Sequence, residues 1–211
     1  MRLLYTDAAL VVVDKPAGQI VHPAPGHETG ALTDELVRRF PEMASVGSRE
    51  RPGVVHRLDI DTSGVMVFAR TPAAYRDLRR QFEAHHDVRK TYLAVCHWRH
   101  GLATKGTLTS PIDRQKAVSH YEVLGRQGAL ALVRFDIETG RTHQIRLHAA
   151  KELDCPIVGD PLYGDAARDR HLRRKPTRTL LHAVELSFLH PTTKKRVTFA
   201  APPPNDLVYI G

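Results

Sequence analysis

Nine consecutive residues, His56-Arg57-Leu58-Asp59-Ile60-Asp61-Thr62-Ser63-Gly64, constrain this chain more than any other stretch. An arginine and a carboxylate stand two apart just before a Thr-Ser-Gly turn, and the apolar run Val65-Met66-Val67-Phe68 leads on from it. In an extended segment alternate side chains share a face. Arg57 and Asp59 would then point one way, and Leu58 the other way into a core. The hydroxyls of Thr62 and Ser63 are suited to bond nearby backbone and fix the turn. The fold must therefore hold one acid and one cation on a loop braced by a buried strand. An isolated Arg-x-Asp is more often a weak surface ion pair, so the longer context decides the reading.

A second constellation is Thr139-Gly140-Arg141-Thr142-His143-Gln144-Ile145-Arg146-Leu147-His148. Gly140 permits a sharp entry, Thr142 suits a helix cap, and residues 142 to 153 read as a helix. Backbone donors at such a start attract phosphate, and Arg141 adds charge there. His143 and Arg146 are three apart, which places them on one helical face. The plain alternative is a basic amphipathic helix. A third segment, Lys90-Thr91-Tyr92, falls in a strand expected over 88 to 95, where a tyrosine is more often core than active site. A fourth, Asp14-Lys15-Pro16-Ala17-Gly18, reads as a strand and a proline-shaped turn with a framing role, the Lys15 cation lying near a phosphate or a carboxylate.

Together these segments resemble the signatures H-R-L-D-x-x-T-S-G, G-R-x-H-Q-I-R-x-H, K-x-Y and x-K-P-x-G of the RluA-type pseudouridine synthases. The resemblance runs from residue 14 to residue 148 and continues through 157 to 164 and 181 to 183. It implies isomerisation of specific uridines to pseudouridine in structured RNA, ribosomal, transfer or both. The N-glycosidic bond breaks, the uracil turns while held, and carbon five joins the sugar. No redox or energy source is needed, so no cofactor and no metal are expected. The resemblance makes Asp59 the catalytic carboxylate, Tyr92 the ring that stacks on the target base and Arg146 the salt-bridge partner of Asp59. Arg57 would fill the space left by an extruded base, and His56, Arg141, His143, Lys15 and Lys90 would bind substrate. It also implies a stand-alone catalytic domain over 1 to 211, without the accessory RNA-binding domain that precedes it in many relatives; the oligomeric state is not read from the sequence, and a monomer is the default. Whether Asp59 attacks the sugar or abstracts a sugar proton stays open.

Charge agrees with an RNA partner. Lysine and arginine total 31 against 23 acids, a net charge of +8, and arginine supplies 23 of the 31. Guanidinium forks suit phosphate and bases, although a GC-rich genome also favours arginine codons. The two cysteines, Cys96 and Cys155, form no Cys-x-x-Cys motif and read as reduced, buried thiols of a cytoplasmic protein. No stretch approaches the ~18 apolar residues of a membrane span. Thirteen histidines invite a metal reading, yet His143 and His148 are five apart rather than the four of a zinc-binding helix. Asp61, two residues beyond Asp59, is a possible second carboxylate, but a hydrolase needs two acids in separate, opposed roles, and nothing else in the signatures supplies the other one. A non-catalytic RNA-binding module is the remaining rival.

The patterning predicts an α+β fold with a largely antiparallel or mixed sheet. Strands are expected at 3–5, 10–13, 65–68, 88–95, 118–124, 129–137, 180–189 and 196–200, with a hairpin at 125–128. Helices are expected at 32–40, ended by Pro41, and from Thr71-Pro72 to about 84, besides the one over 142–153. Residues 22–27 form a loop. Residues 96–116 and 164–178 read as irregular, basic surface that selects the RNA, and 202–204 as a proline tail.

Overall fold

The structure, a computed structural model, describes residues 1–26, 28–84, 87–99 and 101–208. His27 of the expected loop and His100 of the expected irregular stretch lie outside the described residues. Along the chain run β1 (Arg2–Thr6), β2 (Leu10–Lys15), α1 (Leu32–Arg39), β3 (Gly47–Ser48), β4 (Arg51–Pro52), β5 (Ser63–Ala69) and α2 (Pro72–Ala84). Then come β6 (Arg89–His97), β7 (Lys105–Leu108), β8 (Ser119–Gln127), β9 (Leu130–Ile137), α3 (Gln144–Leu147) and α4 (Ala166–His171). β10 (Leu181–Leu189), β11 (Arg196–Ala200) and α5 (Asn205–Val208) close it. The class is α+β and the registered strand pairs are antiparallel, as the patterning predicts. The chain packs as two compact units, residues 1–89 with 185–201, and residues 90–184 with 202–211.

In the first unit β2 lies between β1 and β5, and the second half of β10 pairs with β11. All seven residues of β5 are buried, which suits its unbroken apolar sequence. α2 starts as Thr71-Pro72 predicts, the Thr71 hydroxyl accepting from Ala74 N–H at 3.2 Å. It buries Ala74, Leu78, Gln81 and Phe82; fully burying a Leu or Phe contributes about 1.5–3 kcal/mol. α1 stops where Phe40 leaves helical geometry ahead of Pro41. Gly53 admits no other residue, because its φ is +69° and a Cβ would lie 2.4 Å from the Ala69 carbonyl oxygen.

In the second unit the strand order is β6, β9, β8, β7. β9 shows the expected alternation, with Ala131, Val133, Phe135 and Ile137 buried. Two stretches expected to be irregular carry elements, β7 within 96–116 and α4 within 164–178. The long helix expected over 142–153 is instead a four-residue α3 followed by a π-turn over His148–Glu152, closed by Leu153 N–H on the His148 carbonyl at 3.0 Å.

Candidate active site

In the first unit the Asp59 loop is fastened from below. Lys15 is fully buried, and its ammonium donates to the carbonyls of Pro16 at 3.0 Å, Gln19 at 2.8 Å and Ile60 at 2.9 Å. Three acceptors match the three donors of an ammonium. Gly18 N–H also reaches the Ile60 carbonyl, at 2.9 Å, and Thr62 N–H closes a turn on the Asp59 carbonyl at 3.1 Å. The expected alternation is present, with Leu58 buried, Arg57 exposed and Asp59 half-buried. Lys15 thus takes the framing role. The ammonium has no exposed surface and faces three carbonyls.

His56 also holds the loop. Its Nε2 accepts from Val67 N–H at 3.1 Å, and its ring stacks on Phe82 with centroids 4.5 Å apart and planes 11° apart. The imidazole therefore ties the loop to β5 and α2.

The second unit gathers the other signature residues on one sheet face. Lys90 lies opposite Ile137, which lies opposite Ser119; Tyr92 lies opposite Phe135. Opposed residues, and residues two apart in a strand, share a face. The Ser119 hydroxyl accepts from Gln144 Nε2 at 3.0 Å and lies 2.9 Å from His148 Nδ1, so the 139–153 segment crosses that face. Tyr92 is 9% exposed. Lys90 is 8% exposed and donates to the Thr139 carbonyl at 3.1 Å. Burial, with the Arg141 charge adding to it, pulls its pKa down to about 8. Lys90 therefore stands directly under the Gly140 turn.

That turn departs from the predicted cap. Thr142 is exposed, and the residue before the helix is His143, in left-handed geometry at φ 55°. The cause is Gln144. Its Oε1 accepts from the Thr139 hydroxyl at 2.7 Å and from Arg141 N–H at 3.0 Å, and its Nε2 donates to the Val118 carbonyl at 2.9 Å. This buried amide ties the turn to β8 and delays the helix by two residues. His143 accordingly does not share a helical face with Arg146; its Nδ1 instead lies 3.1 Å from the Tyr163 hydroxyl. Arg141 is half-buried, its Nε donating to the Lys116 carbonyl at 3.1 Å.

Arg146 forms a bidentate pair with Asp160, a residue the sequence reading did not single out. Nε and Nη2 each donate at 2.7 Å to a different carboxylate oxygen, and the guanidinium carbon lies 5.2 Å from the Tyr163 ring centre. Asp160 Oδ1 also accepts from the N–H groups of Leu162 at 2.9 Å and Tyr163 at 3.1 Å. Burial pushes this carboxyl up, but the guanidinium and the two amides outweigh it, so its pKa lies below the ordinary value. The only sequence signal was a single carboxylate in the apolar stretch Ile157-Val158-Gly159-Asp160-Pro161-Leu162-Tyr163-Gly164. Asp169 braces the same turn, its Oδ2 accepting from Gly159 N–H at 3.1 Å and its Oδ1 lying 2.7 Å from His97 Nε2.

The arrangement offers a half-buried carboxylate beside an exposed arginine in one unit. In the other it offers a buried tyrosine, a buried cation and a clamped arginine around one turn. Among the described residues, no three His, Cys, Asp or Glu side chains cluster as a metal-binding group, and no helix is long and apolar enough to cross a membrane.

Comparison with known proteins agrees with the signatures. The family model described as RNA pseudouridylate synthase matches residues 9–151. A Xanthomonas campestris pv. campestris protein named ribosomal large subunit pseudouridine synthase D is 43% identical, covering 98% of this chain and 67% of its own length. A Pseudomonas aeruginosa protein of the same name is 40% identical over 100% of this chain and 70% of its own length. Among solved structures, human RNA pseudouridylate synthase domain containing 4 superposes with a TM-score of 0.75 at 27% identity, covering 98% of this chain and 90% of that one.

Proposed function

The chain belongs to the RNA pseudouridylate synthase family, and from that footing we propose that it isomerises specific uridines of ribosomal or transfer RNA through Asp59. The observation that carries the choice of residue is the Lys15 brace. It holds the Ile60 carbonyl, one residue beyond Asp59, and leaves that carboxylate half-buried next to exposed Arg57. Asp59 acts at the sugar of the uridine, by attack on it or by taking a sugar proton, and a guanidinium beside it favours its charged form. Arg146 supplies that guanidinium.

The base must leave its stack, at a cost of a few kcal/mol. Arg57 fills the vacated space. Tyr92 stacks on the extruded ring and holds it while it turns. Arg141 and His143 bind the surrounding strand from the turn that Lys90 supports, with residues 96–116 and 164–178 choosing the RNA; Arg168, Arg170, Arg173 and Arg174 are exposed there. The names of the bacterial relatives favour large-subunit ribosomal RNA as the target. Residues 1–211 act as one monomeric catalytic domain in the cytoplasm, a compartment that suits the two buried free thiols.

The test is Asp59→Asn, assayed on RNA extracted from cells lacking this protein. Pseudouridine formation is lost while RNA affinity stays within about two-fold, because the charge contacts to phosphate remain. Undiminished turnover by the variant overturns the role of Asp59. Mapping the modified positions then separates ribosomal from transfer RNA.

A further inference from the structure

The first unit contains an open cleft of about 920 Å³ that none of the signature residues line. Thr33, Val37 and Arg38 of α1 line it together with Arg49, Glu50 and Pro23. That volume lies at the upper end of small-ligand sites, about 300–1,000 Å³.

Three buried polar atoms without a hydrogen-bond partner among the described residues, Gln19 Oε1, His22 Nδ1 and Thr33 Oγ1, lie within residues 19–33. Folded proteins leave few such atoms unpaired. Thr33 is 1% exposed and lines the cleft, so its hydroxyl is a buried group with no bond made among the described residues.

The cleft adjoins the Asp59 loop through a short run of backbone. Thr33 N–H bonds the Val21 carbonyl at 3.0 Å and Leu32 N–H bonds the Ile20 carbonyl at 2.9 Å. Two residues back, Lys15 joins the carbonyls of Gln19 and Ile60. Charge follows the same path. Burial first, then the Arg51 and Arg57 charges, disfavour protonation of His22, the neighbour of Pro23 in the cleft wall.

The lining defines the ligand chemistry. Arg38 and Arg49 are exposed at the rim, where a phosphate would meet them. Glu50 and Asp34 also line the cleft, and Asp34 Oδ2 accepts from Ala31 N–H at 3.2 Å. Free phosphate would be repelled by these acids, whereas hydroxyls and base amino groups would donate to them. A ribonucleotide offers both kinds of group.

We propose that this cleft is a subsite for one ribonucleotide of the strand flanking the isomerised uridine, the Thr33 hydroxyl bonding its sugar or base and Arg38 and Arg49 facing its phosphate. The inference rests on the RNA-isomerase reading and adds a contact outside the signatures.

The test uses Thr33→Val and Arg49→Ala in the full chain, with RNA from cells lacking the protein as substrate. Thr33→Val removes the hydroxyl at nearly constant volume and breaks no bond made among the described residues. Its half-saturating RNA concentration rises about five-fold, the size of one hydrogen bond. Its kcat is unchanged, and its Tm equals or exceeds that of the parent. Arg49→Ala raises the same concentration and lowers the salt dependence of binding by about one phosphate contact. Parent-like saturation by both variants overturns the subsite while leaving the isomerase reading intact. A lowered Tm with unchanged saturation assigns the Thr33 hydroxyl to the fold and also overturns it. An inactive parent chain overturns the isomerase reading itself.

Discussion

Asp160→Asn separates scaffold from chemistry. Arg146 and Asp160 are 6% and 5% exposed, and two 2.7 Å hydrogen bonds join them. Removing one partner of a buried pair leaves an uncompensated charge and costs about 3–5 kcal/mol. Asparagine keeps one oxygen for the Leu162 and Tyr163 amides but turns its NH₂ group toward the guanidinium. The expected loss is therefore at the low end, about 3 kcal/mol, equivalent to about 6–12 °C in Tm for a chain of this length. Urea unfolding followed by circular dichroism at neutral pH measures it. The pH dependence gives a second check. The folded-state pKa of Asp160 lies below its ordinary 3.8. The stabilisation is thus fully present above that value and is lost as pH falls through the folded pKa. The gap between parent and variant should close as acid is added below about pH 4. A variant within about 0.5 kcal/mol of the parent at neutral pH, the usual range of a surface change, would refute the clamp. So would a gap that persists undiminished into acid. Asp59→Asn, by contrast, should cost activity and leave unfolding nearly unchanged.

Lys90→Met should alter stability at alkaline rather than acid pH. The folded-state pKa of Lys90 is about 8 against an ordinary 10.5, lowered by burial and then by Arg141. The unfolded chain therefore binds the extra proton between those values, and the parent gains up to about 3 kcal/mol as pH rises across that window. The methionine variant should lack that rise in urea unfolding, and an identical slope in both proteins would contradict the burial of the cation. His56→Ala should lower stability by about 2 kcal/mol, since it removes the acceptor for Val67 N–H and the stack on Phe82. A variant with parent-like Tm and weakened RNA binding would return His56 to the substrate.

What the sequence made legible was set by neighbours along the chain. Thr71-Pro72 starts α2 because a hydroxyl cap and a fixed φ act within one turn. The alternation of β9 survives because each residue answers only to its own face. The Thr142 cap failed because it is a local rule overruled at a distance. Gln144 bonds Val118 and Ser119, some twenty-five residues earlier, and that amide sets where the helix begins. Asp160 escaped notice for the same reason, its partner lying fourteen residues away with no periodic spacing between them. The charged run that became α4 has no buried face. Its helix rests on the Asp165 cap, which accepts from Arg168 N–H at 2.9 Å, and on the His97–Asp169 contact, 72 residues apart in sequence.

The same distinction divides the signatures themselves. Three of the four contain a buried cation, and a buried charge is tolerable only when the fold provides acceptors for it. Lys15 finds the Ile60 carbonyl, Lys90 the Thr139 carbonyl and Arg146 the Asp160 carboxylate. In every case the acceptor belongs to a different segment from the cation. These cations therefore work as rivets between segments: two of them fasten one signature to the next, and the third fastens its turn to Asp160. The groups left to meet RNA are fewer. Arg57 is exposed, and Asp59 and Arg141 are half-buried. A basic signature residue in such a chain is consequently as apt to hold the loops in place as to touch the substrate, and only its burial tells which.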